Sequence, residues 1–242
     1  MTTLSVNLNK IALLRNSRGR DYPNVVEFAG KFISLGVEGI TIHPRPDERH
    51  VKRRDAYDLG AFLADHPGIE LNIEGYPGED FLKIISEVRP HQCTLVPDAD
   101  NQLTSDHGWN FLEQGAFITD IIARINDWGV RTAVFLDPDP AQVEPAAAAG
   151  SRRIELYTEA YAKAWGSPAQ AQVLAGYREV ALLAQSAGLG VNAGHDLDLE
   201  NLPDFLAIPG ILEVSIGHAL TVECLEQGMP AVIQRYLEIC RG

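Results

Sequence analysis

Residues 39–50 read GITIHPRPDERH: an apolar run stops, and His43, Arg45, Arg49 and His50 follow, interleaved with prolines and acids. Imidazole exchanges protons near neutral pH, and guanidinium matches a phosphate with paired hydrogen bonds. Acid–base work beside an anion site is the chemistry these types support. Two further signals lie near the C-terminus, where NAGHDL (192–197) and SIGHAL (215–220) each place a Gly-His step, Gly194-His195 and Gly217-His218, after a short apolar run. Glycines there would let backbone N–H groups approach an anion at a helix N-terminus. Glu74 closes LNIE (71–74) and Glu155 lies in RIELY (153–157). A partly buried carboxyl holds its proton to higher pH and can then exchange it.

Residues so far apart need a scaffold that brings them together. Eight short β-rich runs recur: 3–8 (TLSVNL), 39–43 (GITIH), 69–74 (IELNIE), 92–96 (QCTLV), 131–136 (RTAVFL), 153–157 (RIELY), 189–193 (LGVNA) and 213–216 (EVSI). Helical periodicity fills the gaps, as in VVEFAGKFISLG, GEDFLKIISEVRP and LEQGAFITDIIARINDWG, and Gly or Pro closes most of these segments. In SPAQAQVLAGYREVALLAQSAG the expectation is Ser167 as N-cap, Pro168 in the first turn and Gly188 as the stop. One segment, LTVECLEQGMPAVIQRYLEICRG, closes the chain.

Eight strand–helix alternations predict an α/β fold, a single (β/α)8 TIM barrel spanning residues 1–242 as one domain. An open doubly wound sheet is the runner-up, but no Gly-rich fingerprint follows the first run. In the barrel the C-terminal strand ends share one rim. That rim collects Asn7 and Asn9 from the first strand, His43, His50, Glu74, Glu155, His195 and His218, which include four of the seven histidines. His66 and His91 fall at the other end and are read as structural. His107 lies in the long connection 97–110, a candidate lid, and fits either role.

Other features narrow the class. None of the five lysines sits in a strand or on its last residue, which disfavours a lysine Schiff base. No H-x-H or H-E-x-x-H occurs, which disfavours a metal hydrolase. Three cysteines without C-x-x-C spacing point to a reducing cytoplasm. The N-terminus lacks the pattern of a signal peptide, and no run of about 18 apolar residues exists to span a membrane. A net charge of −13 argues against nucleic acid. Within that acidic chain Lys10, Arg15, Arg18, Arg20, Arg45, Arg49, Lys52, Arg53 and Arg54 crowd the first quarter, a focused patch suited to small anions. Arg18 reads equally as an anion contact swinging in from a loop or as a solvated charge. The residues alone lead to a phosphate-handling barrel enzyme. An isomerase or another synthase, or a non-enzymatic phosphate binder, remains open.

VNLNKIALLRNSRG, GITIHPRPDERH, LNIEG, LTSDHGW, VNAGHDL and IGHAL, in this order along nearly the whole chain, resemble the pyridoxine 5′-phosphate synthase family. The resemblance implies a barrel assembled as a homo-octamer. It implies condensation of 1-deoxy-D-xylulose 5-phosphate with 3-amino-2-oxopropyl phosphate to pyridoxine 5′-phosphate, phosphate and water, without metal or organic cofactor. Carried over by position, His43 and Glu74 match general bases, His195 a proton donor, and Glu155 a carboxylate that stabilises a charged intermediate. Arg45, His50 and Thr104 match contacts to the deoxyxylulose phosphate; Asn7, Arg18, Gly217 and His218 match contacts to the amino ketone phosphate. Two positions depart from the pattern. Asn9 and Lys10 stand where many members have Asp and His, and Asp196 stands where many have Gly. A carboxylate beside phosphate repels it, so Asp196 is expected to turn away as a helix cap while its N–H still binds.

Overall fold

Along each β-run polar and apolar side chains alternate, and successive strand residues point to opposite faces. The computed structural model describes residues 1–98 and 105–242. The chain runs β1 (Thr3–Asn7), α1 (Asn9–Asn16), α2 (Val25–Ser34), β2 (Gly39–Ile42), α3 (Arg53–Ala64), β3 (Glu70–Gly75), α4 (Glu79–Val88) and β4 (Gln92–Leu95). It continues α5 (Phe111–Asp127), β5 (Arg131–Leu136), a 3-10 turn (Pro140–Gln142), α6 (Val143–Ala148), β6 (Arg153–Tyr157), α7 (Glu159–Ala164) and α8 (Gln170–Ser186). It ends β7 (Gly190–Gly194), α9 (Leu202–Phe205), β8 (Ile211–Ile216), α10 (His218–Gln227) and α11 (Met229–Arg241). The strands pair in parallel in sequence order and close, β8 against β1, into the expected (β/α)8 barrel. Among the described residues no helix is long and apolar enough to cross a membrane.

The apolar parity of each strand, such as Leu4 and Val6, Ile40 and Ile42, or Ile154 and Leu156, packs outward against the helices and forms the main core. The polar parity lines the barrel interior, where branched aliphatic layers are the common filling. Arg153 donates to Asn192 and Glu213, both at 3.1 Å. Asn192 donates to Glu213 at 3.2 Å and to Gln92 at 3.3 Å. Higher up, Thr94 lies 3.0 Å from Asn72 Oδ1 and 3.3 Å from Glu155 Oε2. Such buried polar atoms hold only because neighbours across the register satisfy them.

Three local expectations change. NKIALLRN forms α1, so Asn9 and Lys10 begin a helix and are not on the first strand. The helix expected to start at Ser167 starts at Gln170; Pro168 and Ala169 occupy a turn, and Ser167 Oγ donates to Ala164 O at 2.6 Å. Gly188 does stop that helix, with φ +83°, where a left-handed residue satisfies the terminal carbonyls. The closing segment divides at Gly228 (φ +88°) into α10 and α11, with Pro230 in the first turn of α11.

One buried ion pair fixes the loop above β2. Arg15 and Asp55, each 5% exposed, pair through two hydrogen bonds of 2.6 and 2.8 Å. Asp55 Oδ2 also accepts from Lys52 N at 2.7 Å at the start of α3, and Arg15 donates to His50 O at 3.2 Å. Asp55→Ala strands the guanidinium and uncaps α3. Urea unfolding is expected to show a loss of about 3–5 kcal/mol, and a loss within the surface-pair range of about 1 kcal/mol would contradict this reading.

Candidate active site

The strand ends and the loops above them enclose a cavity of about 490 Å³ at the mouth of the barrel. Its wall contains His43, Glu74, Glu155, His195, Asn7, Asn9, Lys10, Arg45, His50, Asp196, Gly217 and His218. Thus all but two of the residues singled out in the sequence meet in one hollow. Arg18 is an exception: it is exposed and lines a neighbouring cleft of about 540 Å³ with Arg15, Arg20, Lys52 and Arg54. It sits beyond the turn that ends α1, which carries it away from the mouth. Thr104 lies outside the described residues, as do the other residues of 99–104 within the candidate lid. His66 and His91 behave as structural groups: His66 Nδ1 bonds Phe62 O at 2.9 Å, and His91 Nδ1 accepts from Leu71 N at 3.1 Å. Among the described residues no group of three or more His, Cys, Asp or Glu is arranged to hold a metal.

Inward parity on β3 and β6 delivers Glu74 and Glu155, and the residue after β2 delivers His43. His43 Nδ1 stands 3.9 Å from Glu74 Oε2, and Asn7 Nδ2 approaches the same oxygen at 3.5 Å. Two asparagines set the frame: Asn9 N donates to Asn7 Oδ1, and His43 N donates to Asn9 Oδ1, both at 2.9 Å. Burial drives Glu74 well above the usual carboxyl range, reinforced by Glu155, Asp98 and Glu213. Burial likewise pushes Glu155 up to about 8, reinforced by Glu213 and opposed by the Thr94 hydroxyl. His43 moves the other way, lowered by burial and then by Arg45, His50 and Arg49. The shifts thus favour the protonated form of both acids and the neutral imidazole, which limits uncompensated charge in the hollow.

The basic wall is built from β2's loop and α1. Arg45 is 5% exposed and bonds Asp98 at 2.5 Å; Ser105 donates to the same carboxylate oxygen at 2.8 Å. His50 Nδ1 accepts from Val51 N at 2.9 Å. Its pKa falls to about 4 through burial, Arg45, Arg49 and Lys10. His50 is then neutral at pH 7 with its proton on Nε2, a donor for an anion. Arg49 of the basic patch lines the cavity too, and Asp98, Ser105, Phe135 and Ser215 do so without having been singled out. Strand parity was the available signal for Phe135 and Ser215, which share the inward face with Glu155 and Gly217.

Beside this wall, at the end of the neighbouring β8, Gly217 caps α10, whose first turn begins at His218. The two Gly-His steps differ from expectation. Only the second opens a helix. After β7, His195 (φ +79°) and Asp196 (φ +56°) both adopt left-handed backbone, each at a cost on the order of 1–3 kcal/mol. The glycines also have a packing role. A Cβ on Gly194 would lie 2.3 Å from Glu155 Oε1, and one on Gly217 would lie 3.0 Å from Asn7 Cβ. Their bareness makes room for other site residues. Asp196 caps no helix: its Oδ2 lies 3.0 Å from His195 Nδ1, and in the turn before α9 it is Asp198 Oδ1 that accepts backbone bonds, from Glu200 N at 2.9 Å and Asn201 N at 2.8 Å.

The family described as Pyridoxal phosphate biosynthesis protein PdxJ matches residues 4–242. The pyridoxine 5′-phosphate synthase of Albidiferax ferrireducens is 47% identical over 242 residues, covering 98% of this chain and 96% of that protein. That of Bacteroides thetaiotaomicron is 49% identical and covers 100% of both. Among solved structures, phosphoribosyl anthranilate isomerase from Thermus thermophilus superposes with TM-score 0.61 at 13% identity, covering 98% of this chain and 100% of that one. Its Thermotoga maritima counterpart gives 0.62 at 12% identity, covering 100% of both. Those two likenesses establish the barrel alone. The family match from the first strand to the last residue, together with relatives at nearly half identity over the full length, places the site in a known lineage: the chain belongs to the Pyridoxal phosphate biosynthesis protein PdxJ family.

Proposed function

We propose that this chain is a pyridoxine 5′-phosphate synthase. It joins 1-deoxy-D-xylulose 5-phosphate to 3-amino-2-oxopropyl phosphate, releasing phosphate and water, with the whole chain working as one domain. The observation that carries this reading is the convergence of His43, Glu74, Glu155 and His195 on one cavity walled by Arg45, His50 and Lys10 and, beside them at the end of β8, by the N-terminus of α10. Two anionic groups need two such walls, and a helix N-terminus with bare N–H groups suits one of them. Thr104, and Arg18 by swinging in from the loop that now holds it in the neighbouring cleft, are proposed to complete the phosphate contacts, and a homo-octamer in the cytoplasm is proposed from the resemblance.

The charge states direct the chemistry. The substrate amine and the ketose carbonyl can form an imine between themselves, so no lysine is required. Neutral His43 is ready to accept a proton, and Glu74, 3.9 Å away, holds one to give. One proton passing between them leaves the pair net neutral, which suits repeated shuttling during ring closure. A protonated imine brings positive charge to Glu155, and that charge favours the ionised carboxylate. Ionised Glu155 then stabilises the intermediate that drew it out. His195, on the opposite side of the mouth, is placed to protonate a departing oxygen.

Incubation of the protein with both substrates is expected to yield pyridoxine 5′-phosphate. Glu74→Gln keeps the shape but cannot exchange a proton, and turnover is expected to fall by about 10²–10⁴-fold with substrate binding retained. Full activity in that variant, or no product from the unaltered protein, would overturn the assignment. A second expectation concerns stability. Glu155 binds its proton more tightly folded than unfolded, so its contribution is complete below the ordinary carboxyl pKa and is lost as pH rises toward about 8. Glu155→Gln is therefore expected to lower activity yet to gain thermal stability over the parent progressively between about pH 5 and pH 8. A parallel pH dependence of melting in the two proteins would contradict the raised pKa.

A further inference from the structure

The turn after β7 has two consecutive left-handed residues that are not glycine, His195 and Asp196. Its carbonyls are held from two directions. Thr158 donates its hydroxyl to Gly194 O at 2.8 Å and also bonds His195 O, and its N–H reaches Gly194 O at 3.1 Å. Asn201, 2% exposed, donates to Asp196 O at 3.1 Å. Neighbouring elements thus overdetermine the turn. Its consequence is local: the Asp196 carboxylate stands 3.0 Å from Nδ1 of His195, a charge contact that falls short of an aligned hydrogen bond. The Tyr157 ring meets the imidazole edge-on, with centroids 5.1 Å apart and an interplanar angle of 79°. Contact with His195 also keeps the Asp196 carboxyl below its ordinary range, so it is ionised at neutral pH.

We infer that Asp196 is a positioning residue for this reaction: with Tyr157 it fixes the His195 ring, holds a proton on Nδ1 and assigns proton exchange with substrate to Nε2. The inference rests on the proposed role of His195 as proton donor. When the ring is doubly protonated, the Nε2 proton passes to the departing oxygen, which takes the electron pair of its breaking bond. The ring ends neutral with Nδ1–H still facing Asp196, and the carboxylate charge does not change. Without the carboxylate the neutral ring is free to carry its proton on Nε2, which removes the acceptor needed to recharge it from that side.

Two variants test this. Asp196→Gly removes the acceptor at a backbone conformation that glycine adopts easily, so folding is preserved. Asp196→Asn tolerates the left-handed region and keeps a carbonyl oxygen for Nδ1–H. In the glycine variant kcat is expected to fall about 10–100-fold, with KM for both phosphates within about twofold. The asparagine variant is expected to recover part of kcat. Solid-state nitrogen NMR of histidine-labelled protein, with His195 identified by the loss of its signals in His195→Gln, reads the tautomer without turnover. Nδ1–H is expected in the parent and in Asp196→Asn, and a shift toward Nε2–H in Asp196→Gly. An unchanged tautomer in the glycine variant would overturn the inference, as would a change in KM for a phosphate with kcat intact. If the protein lacked synthase activity altogether, the tautomer measurement would still decide the pairing, so the two failures are distinguishable.

Discussion

Two carboxyl groups, Glu74 and Glu155, project into the cavity, and burial makes each resist ionising, reinforced at Glu74 by Glu155 and at Glu155 by Glu213. A buried carboxylate without a counter-charge is among the most expensive features a fold can carry. The barrel meets that constraint by keeping the acids protonated and the facing imidazole of His43 neutral. The cations Arg45 and Arg49 lower His43, while Asp98 ties Arg45 in place. The site is then almost uncharged at its chemical centre and positive at its rim. An anionic substrate meets the rim, and a cationic intermediate meets the acids.

The scaffold supplies this through strand parity. Parallel strands in a closed barrel have one face against the helices and the other inside. Here the inside face is polar from bottom to top: Arg153, Asn192 and Glu213 in one layer, then Asn72, Thr94 and Glu155 nearer the mouth. Each polar atom leans on a neighbour across the register. Glu155 pairs in register with Phe135 and Asn192, and the missing Cβ of Gly194 leaves space for its carboxyl. Positions without side-chain chemistry of their own thus determine where the acids sit.

Much of this was legible in the sequence. Eight alternations, with Gly and Pro closing helices, gave the barrel, because periods of 2 and 3.6 survive in local sequence. The convergence of His43, Glu74, Glu155 and His195 followed from the rule that strand C-termini share a rim. What local pattern does not carry is the direction of a loop. Arg18 and Asp196 show this: a turn after α1 sends one to a neighbouring cleft, and left-handed backbone swings the other onto His195 in place of a helix N-terminus. Helix α1 was missed because NKIALLRN is short and carries no side-chain N-cap, and its outer face, Leu13 and Leu14, is exposed. The glycines before His195 and His218 were read as openings for an anion; that their missing Cβ atoms also make room for Glu155 and Asn7 was not legible. That fact depends on residues far away in the chain.

The account's central claim is that the cavity holds its acids uncharged until a cation arrives. Infrared difference titration of the unliganded protein, with Glu74→Gln and Glu155→Gln assigning the bands, measures this directly. Two protonated carboxyl bands are expected at neutral pH, the Glu155 band vanishing as pH passes about 8 and the Glu74 band persisting well above the ordinary carboxyl range. If both groups were already ionised in mildly acidic solution, the proposed proton economy of the site would be wrong.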